Sequence, residues 1–229
     1  IRVSNLALAR GQLHQAQTDA QDSLRMLQAL VALQPDNVAW RRDLAHADAQ
    51  IGWMAALDGQ PELAVRHLER ARQTMAGLLT QAQPLPEWQW LDAIIALRLE
   101  RVQRTRAGNH ANGLAPIVAQ LDALHRARPD DLLGLAALAQ ALVWQGEQQA
   151  AAGDAAGARA AWQRAVAVLG KDIGNSRDKN LLDPWIRAQV HLGQRSAVTQ
   201  QLGWLYHAGY RHPGFVSLYA PLFKEQDSS

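Results

Sequence analysis

The chain has 229 residues, 48% hydrophobic and 19% charged, with no cysteine and a formal net charge of +2. Ala (42) and Leu (33) dominate and aromatics are only 6%, a composition that favours helices and is poor in the β-branched and aromatic residues of sheets. It excludes collagen-like, disulfide-stapled and disordered chains and thiolate redox or zinc chemistry. No apolar run reaches the roughly 18 residues of a membrane span, so no membrane insertion is expected. A charge of +2 with no basic stripe gives no expectation of nucleic acid.

Apolar periodicity and turn residues predict helices over 2–10, 12–33, 37–58, 61–81, 87–107, 112–127, 130–151, 154–169, 183–192 and 195–208. A short closing helix near 213–223 has Pro213 in its first turn. Asp36 or Asn37 is placed to cap the third helix, and Asp130-Asp131 reads as a cap and not as a paired-carboxylate site. Lys171 to Asn180 reads as the longest loop. One pattern recurs, a Gly in a polar turn followed five residues later by a small or aliphatic residue. It appears at Gly11/Ala16, Gly59/Ala64, Gly108/Gly113, Gly153/Ala158 and Gly193/Val198. Each Gly separates two helical stretches, where a left-handed φ is wanted, and the later residue lets the second helix lie close to the first. Five units at intervals of 48, 49, 45 and 40 residues constitute a repeat.

Within the repeat, Gly146, Gly153, Ala158, Trp162 and Ala165 hold the small and large positions of a tetratricopeptide hairpin. Gly52, Gly59, Ala64, Leu68 and Ala71 repeat them. The chain thus resembles tetratricopeptide-repeat proteins, although its repeats are longer than 34 residues and units one, three and five have Ser4, Arg101 and Ile186 at the first-helix Gly position. Looser or differently angled packing is expected there. The stretches LQALVALQPDNVAWRRDLAHADAQIG and LYHAGYRHPGF look similar to the C-terminal repeat regions of multidomain bacterial signalling proteins. In those proteins a Ser/Thr kinase or winged-helix domain, often with a membrane helix, comes first. No kinase motif occurs here, so any such activity would belong to upstream residues. Ile1 in place of Met reads as a processed or excised start, with targeting information upstream. The compartment is then cytoplasmic or, after an upstream membrane helix, periplasmic.

Eight histidines occur, none with the i, i+4 spacing and neighbouring Glu of a helical zinc site. His207 and His212 read as helix C-terminal residues. No catalytic residue, metal or cofactor is expected. Trp40, Leu44, Ala47, Ile51 and Met54 form an apolar stripe that places Trp40 in the core, while His46 and Trp53 share a second line. In tetratricopeptide-like hairpins the first helices line a concave groove. Trp53 there either anchors a partner or packs against the next hairpin. Arg98 lies near the centre of the apolar face Trp88, Leu91, Ile95, Leu99 and Val102, with Arg106 on the same side. A guanidinium in such a stripe needs a partner. An internal carboxylate from a neighbouring hairpin is expected, with an open pocket for an acidic partner as the alternative. Gln140 and Glu147 occupy the equivalent line in unit four.

The expected fold is therefore all-α: a right-handed α-solenoid of about five tetratricopeptide-like hairpins in a single domain over 1–229. Its units are 1–34, 35–84, 85–128, 129–171 and 181–209, with a capping helix over 212–224. The expected role is a non-catalytic protein- or peptide-binding scaffold or sensor of a signalling protein. The alternatives are self-association as a homo-oligomer through the N-terminal helix and small-molecule sensing in the groove.

Overall fold

The structure, a computed structural model, describes residues 2–80, 85–107, 113–216 and 219. It is all-helical, with no strand among the described residues. The α-helices are α1 (Arg2–Ala9), α2 (Leu13–Leu33), α3 (Val38–Leu57), α4 (Pro61–Leu79), α5 (Pro86–Ala107), α6 (Leu114–Ala127), α7 (Leu132–Ala151), α8 (Ala155–Leu169), α9 (Lys179–His191) and α10 (Thr199–His207). Short 3-10 turns occupy Lys171–Asn175 and Arg195–Val198. None of these helices is long and apolar enough to cross a membrane. The residues gather into two compact units, Ile1–Asn109 with Arg211–Gly214, and His110–Tyr210 with Phe215–Ser229.

In the first unit α1 to α5 pack in chain order, each on the next. The pivot is α3, which buries two faces. Ala47, Ile51 and Met54 join Ala7, Leu8, Ala16, Ala20 and Leu24 of α1 and α2, whereas Ala45, Ala49 and Ala55 join the α4 and α5 core of Leu68, Met75, Leu78, Ile95 and Val102. Two-sided burial is what a stacked helix requires, because no single hairpin can cover its own apolar faces. Trp40 departs from the expectation and is only partly buried. It stands in the first turn of α3, where Asn37 accepts its backbone N–H at 3.1 Å, whereas full burial along α3 begins at Ala45.

The turns follow the glycine pattern. Gly11, Gly59, Gly153 and Gly193 all have φ between +72° and +83°, a region L side chains avoid; Gly108 lies outside the described residues. Gly11 is constrained twice, since a Cβ there would also sit 2.7 Å from the Arg211 carbonyl oxygen. Two other glycines serve close approach. A Cβ on Gly52 would meet Leu68 Cγ at 2.8 Å, and one on Gly146 would overlap the Trp162 indole at Nε1. Where unit one has Ser4 at that position, packing is kept by a different device: the Ser4 hydroxyl donates to the Ala16 carbonyl at 2.9 Å across the hairpin. Gly146→Ala is expected to destabilise the second unit by about 1–3 kcal/mol, as overpacking does, and a Trp162→Leu change in the same chain should recover part of the loss. Urea denaturation of the two variants measures both.

In the second unit α6, α7, α8 and α9 pack in succession, and α9 also touches α7. Its core is built from Leu121, Leu138, Leu142, Ala165, Leu182 and Ile186, with Phe215 and Tyr219 buried on the same unit. Asp131 caps α7 through the amides of Leu133 and Gly134. The expected start of α9 at 183 is corrected to Lys179. Asp178 accepts the Asn180 amide at 2.8 Å and begins the helix a turn earlier, so Pro184 lies inside it. Residues 213–216 and 219 are helical; the remainder of the expected capping helix lies outside the described residues.

Candidate binding site

His46, Gln50 and Trp53 follow one another on α3 at spacings of four and three, which places them along one line of the helix. α5 packs against α3 and carries Arg98 to this line, its guanidinium carbon 5.6 Å from the Trp53 ring centroid. That distance is within cation–π reach. Arg98 Nη1 donates to the Ala49 carbonyl at 3.5 Å, the long limit of a hydrogen bond. Gln50 Nε2 lies 3.3 Å from His46 Nε2. Three residues singled out from the sequence, His46, Trp53 and Arg98, therefore converge within the first unit. Arg106 belongs to α5, but its side chain lies outside the described residues.

The electrostatics of the cluster are set by burial. Arg98 finds no carboxylate within ion-pair distance among the described residues, so the expected internal ion pair is replaced by a carbonyl and an aromatic face. Acids of the same helices are engaged elsewhere: Asp43 of α3 by Arg42, Asp48 of α3 by His67 and Arg70 of α4, and Asp92 of α5 by Arg72. Burial alone pushes the Arg98 guanidinium down to about 10, still charged at neutral pH. His46 is pushed down to about 4, first by burial and then by the Arg98 charge, so the ring is neutral at pH 7. Trp53 packs on the core of α1, α2 and α3 with part of its surface open.

Gln140 and Glu147 belong to the second unit, two turns apart on α7. Gln140 is half-buried and its amide nitrogen has no partner among the described residues. Glu147 Oε1 lies 3.4 Å from His191 Nε2, and the His191 ring stacks on Trp162 with centroids 4.5 Å apart and planes 7° from parallel. Trp162, assigned from the sequence to hairpin packing, thus also positions a histidine.

Two polar clusters escaped sequence reasoning. In the first unit Asp48, 1% exposed, accepts from His67 Nδ1 at 3.0 Å and from Arg70 Nε at 2.8 Å. In the second, Asp183 and Arg187 form a buried ion pair one turn apart on α9. The Tyr210 hydroxyl donates to Asp183 at 2.8 Å, and the Arg187 guanidinium lies 5.9 Å from the Phe215 ring and 6.0 Å from that of Tyr219. Only the Asp183/Arg187 spacing of four was visible in advance, and it is common on helix surfaces. Among the described residues no group of three or more His, Asp and Glu is placed to hold a metal ion.

No family model, curated protein or solved structure matches the chain.

Proposed function

We propose that the chain is a non-catalytic binding module, built of tetratricopeptide-like hairpins, that holds a segment of a protein or peptide against the His46–Trp53–Arg98 cluster of its first unit. The observation that carries this reading is the convergence of a partly open Trp and a charged Arg from two helices whose other faces are packed into an apolar core. Trp and Arg are the residues over-represented among binding hot spots. The hairpin reading is supported by the left-handed turn glycines and by the Gly52/Leu68 and Gly146/Trp162 approaches.

Peptide display against the intact chain, followed by calorimetry on the selected peptides, tests the proposal. Trp53→Leu keeps an apolar side chain against the core and removes the indole. It is expected to weaken binding by about 2 kcal/mol, roughly thirtyfold. Failure to select any peptide, or unchanged affinity in a folded Trp53→Leu chain, overturns it.

A further inference from the structure

The Arg98 guanidinium has five N–H donors in a planar fork, and in this structure one of them makes one long bond, to the Ala49 carbonyl. A charged group drawn out of water is normally paired, because its lost hydration must be replaced. Here the surroundings supply the Trp53 face and a neutral imidazole, and no carboxylate within ion-pair distance among the described residues. Apolar neighbours on α5, Ile95, Leu99 and Val102, belong to the core behind it. The Arg98 residue is part-buried, and the Trp53 ring beside it keeps part of its surface open.

We infer that Arg98, flanked by Trp53 and His46, is the seat for a single carboxylate of the bound partner. The proposal rests on the binding-module reading above and names its ligand chemistry. A planar carboxylate matches the guanidinium fork with two parallel hydrogen bonds, and its one negative charge balances the one positive charge of the cluster. A phosphate dianion leaves a net negative charge in a partly desolvated place, since His46 contributes none. The Trp53 ring beside the fork favours an acid whose next atoms are methylenes, as in a Glu side chain or a short free alkanoic acid. These two sources share the chemistry and are separated by experiment.

The test is NMR titration of the intact, ¹⁵N-labelled chain, following the Arg98 Nε–H and Trp53 indole signals at constant ionic strength. The probes are propionate, its neutral isostere propionamide, inorganic phosphate, and the capped peptide Ac-Ala-Ala-Glu-Ala-Ala-NH2 with its Gln twin. Propionate and the Glu peptide are expected to shift both signals saturably, with propionamide and the Gln peptide at least tenfold weaker. A Glu peptide that binds more tightly than propionate assigns the seat to a peptide side chain; the reverse order assigns it to a free acid. Arg98→Met is expected to abolish the saturable response at Trp53 while keeping or raising the Tm, because it removes a partly desolvated charge that no carboxylate of the described residues balances. Arg98→Lys, which keeps the charge and loses the fork, should bind propionate several-fold more weakly. Equal response to propionate and propionamide, tighter binding of phosphate, or saturable propionate binding in folded Arg98→Met overturns the inference. The binding-module reading fails separately, when display selects no peptide of any composition.

Discussion

Asp183→Ala is expected to destabilise the second unit by about 3–5 kcal/mol, the loss seen when one member of a buried ion pair is removed. Asp183 and Arg187 are 7% and 5% exposed. Burial by itself disfavours the Arg187 charge, yet the charge and hydrogen bond of Asp183 outweigh it and hold the guanidinium above its ordinary pKa. The same carboxylate receives the Tyr210 hydroxyl at 2.8 Å. Taking it away removes a charged partner from the guanidinium and an acceptor from a buried phenol at once. Replacing both charges, in Asp183→Leu with Arg187→Met, should recover most of the stability, because an apolar pair needs no hydration to be replaced. Urea denaturation gives the magnitudes, and native-state hydrogen exchange shows whether the loss is confined to α7, α9 and α10. A change below about 1 kcal/mol in Asp183→Ala would place the pair in a solvated setting and reject this account.

Asp48→Asn is expected to cost the first unit about 1.5–3 kcal/mol at neutral pH, the range for a hydrogen bond to a charged group. It is also expected to remove part of the acid limb of the stability profile. Burial raises the Asp48 pKa, but the hydrogen bonds from His67 and Arg70, with the Arg70 charge, prevail and leave the carboxyl below its ordinary value. A carboxylate depressed in the folded state stabilises fully above its unfolded pKa of about 4 and loses that contribution as pH falls through the folded value. The difference between wild type and Asp48→Asn should therefore be constant above about pH 5 and shrink below about pH 4. His46 acts in the neighbouring window. Its folded pKa of about 4 lies below the unfolded 6.5, so protonation is resisted by the folded state and stability falls between those two values in both proteins. Denaturation midpoints from pH 7 down to pH 3 distinguish the two groups. A difference that does not narrow in acid would show that Asp48 is not held ionised by α4.

The helices were readable because their determinants are local. Ala and Leu at helical spacing, a Gly at the turn and an Asn or Asp cap act within a few residues, and Asn37, Asp131 and the left-handed Gly11, Gly59, Gly153 and Gly193 stand where that chemistry puts them. The contacts inside a hairpin were nearly as accessible, since Gly52 with Leu68 and Gly146 with Trp162 are one turn-and-return apart. Trp40 shows the limit of a helical wheel: periodicity gave its face, but burial depends on whether a neighbouring helix extends that far.

Local side-chain chemistry makes this a chain of helices, sets where most of them begin and end, and marks His46, Trp53 and Arg98 as unusual residues for their positions. Which charges meet is settled by how the helices pack. Asp48 is 19 and 22 residues from His67 and Arg70, and Asp183 is 27 from Tyr210. Across such separations the outcome depends on the register and rotation of one helix on another, to which many small apolar contacts contribute. The same registration gives Asp48 to α4 and leaves Arg98 facing Trp53 with no carboxylate in ion-pair distance among the described residues. The meeting of Arg98 with Trp53 is thus a result of helix packing, although periodicity had marked each residue singly.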